Sequence, residues 1–306
     1  MRVTANTTSD NSLYYIQQGR AKLDRLQELI SSGQNVNRPS DDPISTNLIL
    51  GVADKIKTGD QFKSNIDKTQ ILMQVTSTAL QGMADTLKLA KDLASSLVNG
   101  SSDPTTLSNG VNQLQALKQQ MIDMGNTQFN DSYIFGGAKN TTPPFSGTGP
   151  NYYTGDETAL KVEIGNSTTQ QTNIPGNQLL TGSSALLPAP GVIPYGNTNI
   201  MQTIDQLIVD VGANNAAGIA TGATALLAGA KQIQNAQNDI VTRIVRLDSA
   251  EKMNTNNKNT LLTIVGNVQN VDYAKLGVEL TQQQTAFNAS LSATAKITQL
   301  SLLDYL

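Results

Sequence analysis

The chain has 306 residues and a formal net charge of −3, and only 15% of its residues are charged, against about 25% in an ordinary soluble domain. It contains no cysteine, histidine or tryptophan, which removes disulfides, thiolate metal sites, cysteine nucleophiles and the commonest general base and transition-metal ligand. The slight acidity offers no electrostatic basis for nucleic-acid binding, and no apolar run approaches the roughly 18–20 residues of a membrane span.

Three stretches differ in kind: residues 1–130 and 200–306 carry helical periodicity, and 131–199 is rich in Gly, Pro and Thr. The opening MRVTANTTSDNSLYY lacks an apolar core and a small-residue cleavage site, so no cleaved secretory signal is expected. A first helix is expected from caps at Thr8–Asn11, with Leu13, Ile16, Leu23, Leu26 and Ile30 at helical spacing. A mirror-image stripe near the end holds Leu276, Leu280, Phe287, Leu291, Ile297, Leu300 and Leu303. Both terminal helices are narrow and rich in Gln and Thr, and neither buries enough surface to order alone. They are therefore expected to be partly disordered in the monomer and to fold on assembly.

Between the first helix and the next lies SSGQNVNRPSDDPIS, residues 31–45. Gly33 offers a left-handed position to end one helix, and Pro39 keeps the two helices from fusing. Ser40 or Asp42 can cap the next helix, with Pro43 tolerated in its first turn. The Asp41–Asp42 pair lacks the further oxygen ligands and the distal glutamate of a calcium loop, so capping is the favoured role. With Asn37, these residues form the expected joint: Gly33, Asn37, Pro39, Ser40, Asp41, Asp42 and Pro43.

From Ile44 to Ser102 there is no proline, and Met73, Thr76, Leu80, Met83, Leu87, Ala90, Ala94 and Leu97 step by three and four. That heptad-type seam requires a partner helix, and a continuous helix there would run about 88 Å. Asn99–Gly100 ends it, Asp103 and Pro104 can open the next, and the stripe resumes at Leu107, Val111, Leu114, Leu117, Met121 and Met124. Across the insert, Tyr133 to Phe135 reads as a strand bounded by Gly136–Gly137, with further strands at NYYTGD and 159–166. The recurring prolines of ALLPAPGVIPYGN, 185–197, exclude a central strand. In the last arm Leu226, Ala230, Ile233, Gln237, Ile240, Ile244 and Leu247 step by four and three; the phase then meets Glu251, Asn254 and Lys258 before Leu261, Val265 and Val268. The polar members are either register devices or weak points.

The fold class expected is mainly α: a long antiparallel helical coiled coil or bundle formed by the N- and C-terminal arms, with an inserted small β-rich domain. Its parts are 1–43 with 273–306 as the terminal helices, 44–130 with 200–272 as the long helices, and 131–199 as a small β-rich outer insert. No phosphate loop is present, and serine nucleophiles have no histidine to activate them. No cofactor, metal site or catalytic residue is therefore expected, and a carboxylate-dependent enzyme would have to rest on Asp41 and Asp42.

These motifs resemble the flagellin superfamily, and within it the hook–filament junction family. LISSGQNVNRPSDDP, SYIFGGAKNTTPPF at 132–145 and the ending FNASLSATAKITQLSLLDYL carry the resemblance, which covers roughly 1–145 and 225–306 and leaves 146–199 unconstrained. Flagellins proper tend to have Ala-Lys before the Asp pair and Ala after it; here Pro39 and Pro43 frame it. The resemblance implies export through the flagellar type III apparatus without a cleaved signal, to an extracellular place in the bacterial flagellum. It implies assembly as a ring between hook-associated protein 1 and the first flagellin subunits, after an export chaperone has held the C-terminal helix. The same resemblance implies an inner coiled-coil domain from 1–43 with 273–306 and a rod from 44–130 with 200–272. It also implies that Leu13, Ile16, Leu23, Leu26, Leu280, Phe287, Leu291, Ile297 and Leu300 form the assembly interface, and that Tyr133, Phe135, Gly136 and Gly137 mark the entry to the insert. A flagellin that polymerises into the filament itself is the alternative reading.

Overall fold

The computed structural model describes residues 5–100, 103–147, 149, 151–182 and 195–303. In chain order the elements are α1 (Ala5–Ser32), α2 (Pro43–Gly100), α3 (Pro104–Gly125), the hairpin β1 (Gln128–Phe129) with β2 (Ser132–Tyr133), the hairpin β3 (Lys161–Gly165) with β4 (Thr168–Gln171), a π-helical turn over Asn177–Thr181, α4 (Ile200–Gly212), α5 (Ala216–Gln269) and α6 (Tyr273–Leu303). The protein is mainly helical, and both described sheets are two-stranded and antiparallel. It divides into two compact units, Met1–Thr58 with Asn256–Leu306, and Gly59–Thr255.

The larger unit is built on the 3–4 spacing. Met73, Leu80, Met83, Leu87, Ala90 and Ala94 are fully buried on α2, and Leu226, Ile233, Ala236, Ile240 and Leu247 are fully buried on α5. Leu107, Leu114 and Met121 of α3 and Ile200, Ile204 and Leu207 of α4 join the same core. Two local devices set the helix ends. Asp103 caps α3, its carboxylate accepting from the Thr106 amide at 3.0 Å, with Pro104 as the first helical residue. The last arm, expected to be helical throughout, breaks at 213–215: Asn214 adopts φ 54°, and the Asn215 side chain accepts from the Gly218 amide at 3.1 Å to start α5. Asparagine tolerates that left-handed conformation better than other side-bearing residues, and the adjacent pair Asn214–Asn215 is the signal for this break.

The insert carries its small β component as two short antiparallel hairpins joined by irregular chain. The strand expected over Tyr133–Phe135 is only Ser132–Tyr133, because the chain turns at once to bury Ile134 and Phe135. Asn130 and Asp131, at φ 50° and 59°, form the tight turn before it. NYYTGD supplies a single bridge, Tyr153 to Phe145, rather than a strand, whereas the strand expected at 159–166 is β3. The prolines of 188–194 lie outside the described residues. Phe135, Phe145, Tyr152, Ile164, Ile174, Leu179 and Leu180 join the core of the long helices, so the described insert shares that core. Side chains fasten it there. Tyr152 Oη donates to Asp205 at 2.5 Å, and Lys118 Nζ reaches Asp205 at 2.5 Å and the Gly147 carbonyl at 2.7 Å. Buried Gln232 donates to the Leu179 carbonyl at 2.7 Å and accepts from the Thr198 amide at 3.0 Å, so it ties both flanks of residues 183–194 to α5.

Candidate assembly interface

Helices α1 and α6 run antiparallel in the smaller unit: Gly19 meets Phe287 and Gln283, and Gly33 meets Tyr273. Gln283 Nε2 donates to the Gly19 carbonyl at 3.4 Å. The pairing covers little. Leu276 is the one large apolar side chain of α1 or α6 counted as buried among the described residues. Ile16, Leu23, Leu26, Leu280 and Phe287 are half-buried, whereas Leu13 and Leu291 remain 53% and 42% exposed. The side chains of Ile297 and Leu300 lie outside the described residues. Tyr14, Tyr15, Tyr273 and Val278 add exposed apolar area on the same two helices. Residues 282–295 contain no charged side chain, and the hydroxyls of Thr281, Thr285, Ser290, Ser292 and Thr294 each donate to the carbonyl four residues earlier at 2.9 Å.

The joint separates the two aspartates by task. Asp42 caps α2: its Oδ1 accepts from the Ile44 and Ser45 amides at 3.0 Å each, and Ser45 Oγ donates to Oδ2 at 2.6 Å. These hydrogen bonds, that of the Ser45 hydroxyl first, hold the Asp42 carboxyl below the ordinary carboxylate range. Asp41 instead folds the loop. Its Oδ2 accepts from the Asn37 amide at 3.2 Å, the Arg38 amide at 2.9 Å and the Arg25 guanidinium at 2.7 Å. Partial desolvation pushes the Asp41 carboxyl up, but the Arg38, Arg25 and Asn37 hydrogen bonds outweigh it and leave the pKa lowered. Both carboxylates thus have structural partners, and among the described residues no group of three or more Asp or Glu could hold a metal ion. Asn37 Nδ2 also donates to Ser32 Oγ at 3.0 Å. Pro39 and Ser40 occupy the turn between these contacts, and Pro43 is the first residue of α2.

Gly33 takes φ +69°, and a Cβ there would stand 2.7 Å from Tyr273 Oη. The chain beside it pairs with the α5–α6 connection: the Asn35 amide donates to the Gln269 carbonyl at 2.7 Å, and Gln34 bridges Asn270. Asp272 caps α6 as Asp42 caps α2, accepting from the Ala274 and Lys275 amides at 2.9 and 3.1 Å. Sequence reasoning had singled out neither Arg25 and Glu28 nor this second connection. The Asp-x-x spacing of VDYAK was the available sign for Asp272, and the i,i+3 spacing of Arg25 and Glu28, 3.1 Å apart within α1, was available for that pair; the Arg25–Asp41 and Arg38–Glu28 ion pairs join the helix to the loop and leave no periodic trace. In the larger unit, Tyr133 ends β2, Phe135 is fully buried, and Gly136 and Gly137 turn the chain against Asp156 and Lys139.

A long, low-charge helical fold in which α1 and α6 pair is the architecture to set against known proteins. Residues 3–140 match the family described as the bacterial flagellin N-terminal helical region. Over 99% of both chains the protein is 23% identical to flagellar hook-associated protein 3 of Escherichia coli. A structure described as a flagellar hook-associated protein of Vibrio parahaemolyticus superimposes with a TM-score of 0.66 at 20% identity, covering 75% of this chain and 100% of that one. The flagellar junction protein FlgL from Legionella pneumophila gives 0.56 at 16%, covering 74% and 100%. The full-length likeness to hook-associated protein 3 favours the junction reading over that of a filament-forming flagellin.

Proposed function

We propose that this protein is a structural, non-catalytic subunit of the bacterial flagellum, forming an adaptor ring between the hook, through hook-associated protein 1, and the first flagellin subunits. The observation that carries the reading is the likeness to hook-associated protein 3 over 99% of both chains. In this reading 1–43 with 273–306 form the inner assembly domain, 44–130 with 200–272 the rod, and 131–199 the outward-facing insert. The α1–α6 pair is marginal in the monomer, since it buries so little, and is completed by neighbouring copies that cover Leu13, Ile16, Leu23, Leu26, Leu280, Phe287, Leu291, Ile297 and Leu300. A large apolar side chain moved from exposed to buried contributes about 1.5–3 kcal/mol, so half-exposed ones contribute roughly 1 kcal/mol each. Repeated around a closed ring, that sum is firm while each single contact stays reversible. Residues 33–43 set the angle between inner domain and rod. Export through the flagellar type III apparatus, with a chaperone on α6, precedes assembly outside the cell.

The test is assembly on isolated hooks. Purified protein is expected to add as a short, non-elongating layer that then accepts flagellin, and antibody labelling of intact flagella is expected at the hook–filament boundary. Long filaments grown from this protein alone would refute the junction role. Removing residues 1–32 and 273–306 is expected to abolish addition while leaving the melt of the larger unit nearly unchanged.

A further inference from the structure

The polar interruptions of the α5 seam have partners. Asn254 Nδ2 donates to the Gly59 carbonyl oxygen of α2 at 2.7 Å. Glycine leaves room for that approach, since a Cβ on residue 59 would lie 2.9 Å from Asn254 Oδ1 and the side chain would have to shift. One turn along α2, Lys63 Nζ stands 2.7 Å from Glu251 Oε1 and 3.1 Å from Asp67 Oδ1. The pairing leaves its mark on both groups: hydrogen bonding to Lys63 lowers the Glu251 pKa, and hydrogen bonding to Glu251 raises that of Lys63.

Burial changes character at this point. Inward from it, Ile66, Met73 and Leu80 on α2 and Leu247, Ile240 and Ile233 on α5 are fully buried. Outward, Val52 is the one buried residue of 43–58, and 256–269 contains none. Gly59 and Thr255 are also the limits of the larger compact unit. The free energy of local opening follows the apolar area a segment buries, so the outer stretches of α2 and α5 belong to the low-stability end of the molecule. Slipping α5 by one heptad would face Lys63 with Ile244 or Lys258 in place of Glu251, an apolar residue or a like charge.

We propose that Lys63, Glu251, Asn254 and the Gly59 carbonyl form a polar clamp that ends the cooperatively folded core, so that opening of the outer α2 and α5 stretches stops there. The clamp permits 43–58 of α2 and 256–269 of α5 to open and close while the core of the larger unit stays folded. Its use in assembly rests on the function proposed above; its existence does not.

The experiment is hydrogen exchange of the full-length monomer, resolved along both helices. A step in protection is expected, with 44–58 and 256–268 exchanging at least tenfold faster than 66–97 and 226–247. Replacing the clamp by Glu251→Gln with Asn254→Ala should speed exchange across 60–66 and 247–255 about tenfold while 80–97 is unmoved. Lys63→Glu alone should do the same, and adding Glu251→Lys should recover protection, which general damage to the helix would not. Protection that declines smoothly, a step located elsewhere, or clamp variants that exchange like the parent would overturn the proposal. These readings come from the isolated monomer, so they stand apart from the outcome on hooks.

Discussion

Two glycines of the smaller unit should respond to the same substitution with opposite signs. At Gly33, φ +69° forces an alanine into the left-handed region at about 1–2 kcal/mol. Its Cβ would also meet Tyr273 Oη at 2.7 Å; that ring is largely exposed and can swing aside for about 0.5–1 kcal/mol. Restricting the unfolded chain returns about 0.4–1 kcal/mol, leaving Gly33→Ala destabilising by about 1–2 kcal/mol. Gly51 sits inside α2 with nothing within 4 Å of a built Cβ, so Gly51→Ala should stabilise by about 0.5–1 kcal/mol. Hydrogen exchange of residues 276–288 in α6 reads the difference: Gly33→Ala should raise exchange there by about tenfold, as about 1.4 kcal/mol implies. Introducing Gly33→Ala into a Tyr273→Phe background should remove the steric part and keep the backbone part. The reasoning fails if Gly33→Ala protects α6 as well as the parent, or if the two glycine substitutions act alike.

Leu87→Ala, at a fully buried position on α2, should cost about 2–5 kcal/mol and lower the denaturant midpoint of the larger unit. Leu13→Ala, at a half-exposed position, should leave that midpoint within about 0.5 kcal/mol while weakening addition to hooks. Gln232→Ala strands the Leu179 and Thr198 backbone groups in a buried site and should cost about 1–3 kcal/mol by equilibrium unfolding, with faster hydrogen exchange of the Thr198 amide as a second readout. The lowered pKa values of Asp41 and Asp42 give a joint whose contribution is fully present above the unfolded-state value of 3.8 and is lost as pH falls through the lower folded-state values. Exchange of the 35–46 amides should therefore be flat through mildly acidic pH and rise only below that value; a rise centred near pH 6 would contradict the assignment.

Much of the helical framework was legible because a long prolineless run repeats its own evidence. The α2 seam from Met73 to Leu97 was marked by spacing alone, and each of its members is buried. The Asp103–Pro104 helix start and the left-handed Gly33 are equally local features. The joint was legible only in part: that Asp42 could cap α2 follows from its own surroundings, whereas the Asp41–Arg25 pair and the Asn35–Gln269 hydrogen bond join residues with no common period. Within the insert β3 was legible at 159–166, and the rest escaped for a related reason. Two-residue strands have no alternation to detect, and Phe135, Phe145 and Ile174 find their burial against distant helices rather than within their own segment. Along the terminal helices the stripes from Leu13 to Leu26 and from Leu280 to Leu291 showed which side is apolar, but a stripe does not say how much of it a partner within the same chain will cover.

The hydroxyls of α6 have a consequence for wetting. Because Thr281, Thr285, Ser290, Ser292 and Thr294 already spend their protons on their own helix, covering these side chains strands no hydroxyl donor. The uncharged run 282–295 likewise presents nothing for dissolved ions to screen. In the assembly proposed above, the part of the contact made by 282–295 should therefore respond little to ionic screening.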